Sequence, residues 1–282
     1  MFLYSNLKFE SIDIYPIRDL VAEISGLYFD ERRFYFIEKR IRNRMKQTNS
    51  KSVKDYFRLL KLSNYAGEIE ELITALTINE TYFYRNIPQL ESFIEEILPL
   101  VIQAKKKGDR TLKFWSAGCS SGEEAYTLSI LLQEHLKNPQ QWKIEIIGSD
   151  IDQKILRKAQ RALYNKRQVK NLSSHLIKKY FNHSGSLFQL KDEIKNSVQF
   201  SCVNLMNHRE LRQFSGMDFV FCRNVLIYFN DDAKKQVVNS IFDILNPGGY
   251  IFLGHSESVA NTSAMFKLIK FNKSLSYMKP CQ

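Results

Sequence analysis

The stretch KFWSAGCSSGEEAYTLSILL, residues 113–132, decides how the whole chain is read. It begins as an apolar strand, passes through a loop of small residues carrying Gly118 and Gly122, and continues as a helix. Small residues let a ligand approach the backbone, and a helix start offers unpaired N–H groups, so a nucleotide-like ligand is implied. The glycines are spaced G-x-x-x-G, not the G-x-G-x-x-G of dinucleotide enzymes. Glu123 and Glu124 stand where a pyrophosphate would lie, and two carboxylates repel that group. A cationic ligand suits the loop better, and the sulfonium and ammonium groups of S-adenosylmethionine fit that description.

Outward from this unit, short apolar strands are expected at Leu112 to Ser116, Ile144 to Gly148, Val198 to Val203, Phe219 to Cys222 and Tyr250 to Leu253. Helical stretches at Glu123 to Leu136 and Gln153 to Leu163 separate the earlier ones. Such alternation predicts an α/β fold with a parallel sheet wrapped by helices, because parallel strands need long crossovers. Ligands in these sheets gather at the carboxyl ends of the strands. Asp150, directly after the second strand in IIGSDID, is placed to accept both ribose hydroxyls, while Asp152 caps the following helix. Asn204 ends the third strand; its amide can serve an adenine edge or a turn. The C-terminal MFKLIKFNKSLSYMKP reads as an antiparallel pair at the sheet edge. A polar segment around residues 184–200 reads as a small β-insert.

The 282 residues suffice for about two domains, and a composition of 44% hydrophobic and 25% charged excludes disorder, collagen and coiled coil. The sequence predicts an N-terminal helical domain over 1–76, a linker over 77–90 and a catalytic domain over 91–282. No apolar run reaches the roughly 20 residues of a membrane span, and MFLYSNLKFE lacks a signal core, so a cytoplasmic protein without membrane insertion is expected. Cys119, Cys202, Cys222 and Cys281 form no C-x-x-C pair, which predicts free thiols and no metal. The net charge is +11. Between Arg32 and Lys61, eleven basic residues face two acidic ones. There Phe34, Ile37, Ile41 and Met45 define the buried face of a helix. Lys39, Arg42 and Lys46 project opposite, flanked by Arg40 and Arg44. Such a face is either simply solvated or a docking surface for an acidic partner.

Five stretches, LTINETYFYRN (76–86), FWSAGCSSGEEAYTLSI (114–130), GSDID (148–152), FVFCRNVLIYF (219–229) and LNPGGYIFLGHSES (245–258), resemble in order the signatures of the chemotaxis receptor methyltransferases, the CheR family. The resemblance covers essentially the whole chain. It implies a class I S-adenosylmethionine-dependent methyltransferase sheet, Rossmann-like, with an N-terminal all-helical domain and a small inserted antiparallel β-subdomain. It also implies O-methylation of glutamate side chains on the cytoplasmic helices of methyl-accepting chemoreceptors.

Carried onto this chain, the resemblance makes Asn79, Thr81 and Arg85 linker residues closing over the cofactor, and Glu123 and Asp150 the loop and ribose acids. Asn204 and Leu205 match the adenine pocket, and Arg223 and Asn224 the loop after the fourth strand. Arg85 and Tyr228 correspond to positions beside the transferring methyl group. Lys39, Arg40, Arg42, Arg44 and Lys46 become a surface for glutamate-rich receptor helices. Ser121, Ala125 and Tyr84 depart from the commoner threonine, proline and phenylalanine, and none of these changes removes a functional group.

Two alternatives stand beside this reading. A nucleic-acid methyltransferase would share the fold and the positive charge. Its amino-methylating form needs a D/N-P-P-Y/F turn where this chain has CRNVLIY, so no nucleic-acid partner is expected. A non-catalytic module binding S-adenosylmethionine would keep the cofactor acids and lose turnover.

Overall fold

The computed structural model describes residues 11–62, 66–259 and 265–281. The opening segment 1–10, read above as lacking a signal core, lies outside the described residues. The chain divides into two compact units, one holding the described residues up to Ile78 together with Tyr228–Lys234, the other Asn79–Ile227 and the remainder from Lys235.

The first unit is helical, with α1 (Ser11–Ser25), α2 (Phe34–Thr48), α3 (Val53–Lys61) and α4 (Ala66–Leu76). The three- and four-residue apolar steps of α2 bury Ile37, Ile41 and Met45. These pack in a core with Ile17, Tyr56 and Leu72. Ile41 is fully enclosed, so Ile41→Ala removes about 2–5 kcal/mol. Helix α2 stops at Asn49, which adopts a left-handed conformation and returns its N–H to the Met45 carbonyl. Ser52 caps α3 by accepting the Asp55 N–H. Residues 228–234 join this unit through a Leu27–Phe229 bridge and a Tyr28 N–H donated to the Tyr228 carbonyl at 2.7 Å.

The second unit begins with α5 (Ile87–Ser92) and α6 (Leu98–Ala104), joined by one π-helical segment at Phe93–Ile97. There follow β1 (Thr111–Ala117), α7 (Glu123–His135), β2 (Lys143–Asp150), α8 (Gln153–Arg161) and β3 (Leu163–Tyr164). Next come α9 (Ser174–Tyr180), β4 (Phe181–Ser184), β5 (Leu187–Leu190), α10 (Asp192–Lys195) and β6 (Val198–Cys202). The chain continues through α11 (His208–Leu211), β7 (Met217–Cys222), α12 (Asp231–Ile244), β8 (Leu245–Leu253), β9 (Lys267–Lys270) and β10 (Leu275–Met278).

Seven strands form one sheet in the order β6-β2-β1-β7-β8-β10-β9. The first five run parallel, and the C-terminal hairpin adds antiparallel at the edge. The order reverses between β1 and β7, which opens the ligand crevice at their carboxyl ends. Cross-strand register stacks Phe114 on Phe219 and Phe221 on Phe252, with Phe93 from the π-helical segment set edge-on to all four rings. This aromatic core fixes β1 against β7, and so fixes the two loops that leave them.

The small insert differs from expectation. It is a three-stranded antiparallel sheet, β3-β5-β4, running from Leu163 to Leu190 and so beginning before the expected 184–200, while residues 198–202 form β6 of the main sheet where a strand was expected at Val198 to Val203. Leu163 opens a strand because Ala162 takes a left-handed conformation (φ 52°) that ends α8. No helix among the described residues is long and apolar enough to cross a membrane. The four cysteines are free thiols.

Candidate functional site

The loop after β1 folds onto the end of β2. The N–H groups of Gly118 and Cys119 both donate to the Ser149 carbonyl at 2.8 Å, and the Trp115 indole N–H donates to the Ser149 hydroxyl. Ser120 adopts a left-handed backbone (φ 51°), a strain of order 1–3 kcal/mol that such sites commonly store. In that conformation its N–H donates to Asp150 Oδ2 at 2.9 Å, while Asp150 Oδ1 accepts from the Asp152 N–H at 3.0 Å. Asp150 is 8% exposed. Burial pushes its carboxyl up to about 6, against these backbone donors, which favour the anion.

Asp152 caps α8 by accepting the N–H groups of Lys154 and Ile155. Its second oxygen accepts from Asn79 Nδ2 at 3.2 Å, and the Ser120 hydroxyl donates to the Asn79 carbonyl at 3.3 Å. The linker is thereby tied to the ends of both β1 and β2. Thr81 follows half-buried. Arg85 donates Nη1 to the Glu80 carbonyl and lies over the Tyr82 ring at 5.6 Å.

Glu123 and Glu124 have different surroundings. Glu123 is 0% exposed, its carboxylate held by the Ser121 hydroxyl and by Gln168 Nε2 at 2.6 Å. Burial raises its carboxyl. In this conformation its contacts are with Ser121 and Gln168. Glu124 accepts from the Ser116 hydroxyl at 2.7 Å and pairs with Arg223 Nη1 at 3.1 Å. Arg223 Nη2 donates to the Arg85 carbonyl at 2.6 Å, and Arg223 Nε is buried without a partner. Arg223 therefore ties the linker to the start of α7 through its guanidinium, a role that the sequence does not indicate.

The small loop residues also serve a purpose other than the one expected. The space a side chain would fill at Gly118 (φ 73°) is taken by Val225 of the loop after β7, so this glycine admits protein rather than ligand on that side. Asn224, in that same loop, has a left-handed backbone (φ 59°). At the end of β6, Asn204 Oδ1 accepts the Met206 N–H, the turn role open to it from sequence, and Leu205 is buried beside it. Tyr228 is half-buried in the segment that groups with the helices.

On α2, Lys39 and Lys46 are exposed. Arg42 pairs with Glu38 at 2.6 Å, and Arg40 lies over the Phe36 ring at 5.0 Å with its Nε buried. Arg44 is buried between Glu68 and Glu71 of α4, where Tyr56 also donates to Glu68. Its charge is spent within the bundle, which removes it from the expected exposed surface.

Residues 12–77 match the family described as CheR methyltransferase, all-alpha domain, and residues 79–275 match CheR methyltransferase, SAM binding domain. The chain belongs to the CheR family. It is 41% identical to chemotaxis protein methyltransferase 2 of Vibrio cholerae, over 95% of this chain and 93% of that one. A chemotaxis protein methyltransferase of Borreliella burgdorferi is 30% identical over 98% and 94%, and one of Escherichia coli 28% over 89% and 86%. This CheR-family protein is thus an S-adenosylmethionine-dependent methyltransferase with a class I sheet. The donor set fits that cofactor: an enclosed carboxylate ends β2, and the linker and the loop after β7 are held against the same strand ends.

Two supporting residues, Gln168 and Glu257, and the pairing of a third, Glu124, escape sequence reasoning. Gln168 bonds Glu123 through its side chain and accepts the Phe83 N–H through its carbonyl, joining the small-sheet region to the linker. It lies in an irregular segment with no pattern to flag it. Glu124 was visible as the second acid of GEEA, yet its partner Arg223 is 99 residues away. Glu257, in LGHSES, binds backbone rather than side chains.

Proposed function

We propose that this enzyme acts in the cytoplasm, methylating glutamate side chains on the cytoplasmic helices of chemotaxis receptors to give γ-glutamyl methyl esters. The relatives named chemotaxis protein methyltransferases support the receptor as substrate. The observation carrying the donor assignment is the convergence of linker and strand ends at Asp150: Asn79 bonds Asp152, Ser120 bonds both Asn79 and Asp150, and Arg223 holds the Arg85 carbonyl.

S-adenosylmethionine supplies a methyl group activated on a sulfonium. Asp150 would accept the ribose hydroxyls, Asn204 and Leu205 would bound the adenine, Asn79, Thr81 and Arg85 of the linker would close over the donor, and Arg223 and Asn224 would present the loop after β7 to it. Glu123 contributes from behind, by holding Gln168 and through it the linker. A glutamate acceptor, with a reference pKa of about 4.3, arrives as an anion at neutral pH and needs no general base. The protein's task is orientation and exclusion of water, and orientation supplies about 7–11 kcal/mol in favourable cases. Arg85 and Tyr228 are assigned to the transfer itself through their match to family positions, Arg85 holding a carboxylate and Tyr228 orienting the acceptor oxygen. Lys39, Arg40, Arg42 and Lys46 attract the acidic receptor helix.

Incubation with tritiated S-adenosylmethionine and receptor membranes, then base treatment, tests the reading. Volatile methanol is expected, and label that survives base on another acceptor refutes it. Arg85→Ala and Tyr228→Phe should each lower turnover about 10- to 100-fold with little change in melting temperature. Wild-type rates in both would remove these two residues from the mechanism.

A further inference from the structure

The segment LGHSES closes β8, and one of its side chains has an unusual set of partners. Glu257 Oε2 accepts the N–H of Asn224 at 2.7 Å and that of Gly254 at 2.6 Å, while Oε1 accepts the N–H of Ile227 at 3.1 Å. Three main-chain donors from two loops converge on one carboxylate, which thereby links the turn after β8 to the loop after β7. The turn is closed by the Glu257 N–H donating to the Gly254 carbonyl at 3.0 Å. Gly254 is required for the approach, since a Cβ there would lie 2.7 Å from both Asn224 Nδ2 and Glu257 Oε2 and 2.9 Å from the Asn224 nitrogen.

On its other side the 223–227 loop is located by Val225, which fills the space beside Gly118. Between these two supports Asn224 takes a left-handed conformation, uncommon for non-glycine residues and best tolerated by asparagine. An ionised carboxylate suits this place because its two oxygens are acceptors only, and hydrogen bonds to a charged group are stronger than neutral ones.

We propose that Glu257 is a positioning residue for methyl-donor binding: by fixing the backbone of residues 223–227 it sets where Arg223 and Asn224 are presented. This rests on the reading of that loop as part of the donor site. Glutamine can keep the two bonds at one oxygen and lose the Ile227 contact, because its NH2 would face another donor. Alanine loses all three bonds.

The test is calorimetric titration of S-adenosylhomocysteine into the full-length wild type, Glu257→Gln, Glu257→Ala and Asn224→Gly, with a thermal melt of each. Glycine at 224 keeps the left-handed backbone while removing the amide. The Kd is expected to rise about threefold in Glu257→Gln and at least about tenfold in Glu257→Ala, following the number of N–H groups abandoned. An unchanged Kd in folded Glu257→Ala, with only a lower melting temperature, would mean a purely structural role and overturn the proposal. Should Glu257→Ala not fold, an unchanged Kd in Glu257→Gln overturns it equally. If Asn224→Gly weakens binding and the Glu257 variants do not, the role of Glu257 alone is lost. If Asn224→Gly and Glu257→Ala both bind as wild type, the placement of the loop in the donor site is itself wrong.

Discussion

Two buried arginine–glutamate pairs, one in each unit, use the same chemistry to different ends. In the helical unit Arg44 and Glu68, 14% and 7% exposed, join α2 to α4 at 2.5 Å, with Glu71 and Tyr56 completing the cluster. In the catalytic unit Arg223 and Glu124, 3% and 15% exposed, join the loop after β7 to the start of α7 at 3.1 Å, and the same guanidinium reaches the Arg85 carbonyl. Their electrostatics diverge. The hydrogen bond that Arg44 donates to Glu68 makes it hold its proton more firmly, whereas burial makes Arg223 hold its proton less firmly, with Arg85 nearby adding to the effect. The first pair ends within secondary structure and is closed on itself. The second retains an unpartnered Nε and holds the Arg85 carbonyl of the linker. A buried ion pair is weak evidence of net stabilisation in either place; what it fixes is the geometry of whatever its remaining donors touch.

The same truncation in the two pairs separates these roles. Glu124→Ala leaves Arg223 uncompensated and frees the linker. It should lose roughly 3–5 kcal/mol of stability. A displacement near 1 Å at the linker should also cost about 100-fold in methyl transfer. Chemical denaturation and transfer assays measure the two losses. Glu68→Ala is expected to show a similar stability loss of roughly 3–5 kcal/mol, with the S-adenosylhomocysteine Kd of the folded protein unchanged. A weakened Kd in Glu68→Ala would erase the distinction between the pairs.

Asp150 sharpens the comparison through pH. Its folded carboxyl titrates near 6 against an ordinary value of 3.8. The native state therefore binds the proton more tightly than the unfolded chain, and this group's contribution to stability falls as pH rises from about 4 through about 6. With Asp150 in its proposed ribose role, donor binding should change in the opposite direction, because the anion is the form able to accept both ribose hydroxyls. The affinity for S-adenosylhomocysteine should weaken by up to about tenfold per pH unit below 6, and Asp150→Asn should flatten that profile. Calorimetry between pH 5 and 8 reads both. The smallest expected effect lies on α2: Lys39→Glu with Lys46→Glu should raise KM for receptor about threefold at low salt and leave kcat intact. The difference should fade as salt shortens the screening length.

Local signals made the main sheet legible. Short apolar runs gave β1, β2, β6, β7 and β8, interleaved apolar and polar residues gave the C-terminal hairpin, and Asp152 was recognisable as a cap because capping acts over three residues. The small sheet was displaced toward the C-terminus in the sequence reading because β3 is two residues long and becomes a strand only by pairing with β5. The positive run on α2 was visible, but which of its charges remain exposed was not. Arg44 is neutralised by residues 24 and 27 positions away, on another helix.

Sequence alone determined the kind of site: an acid at the end of β2, small residues after β1, and family signatures in order along the chain. Those features are carried by residue types at short spacing, which local sterics and capping fix in place. Tertiary structure decided what each polar group does. Glu123 turns inward to Gln168, Glu124 to Arg223, and Glu257 to three backbone N–H groups. Each of those outcomes depends on a partner brought close by sheet topology. Burial then compels the pairing, since a charge removed from water must find a counter-charge or donors wherever the fold supplies them.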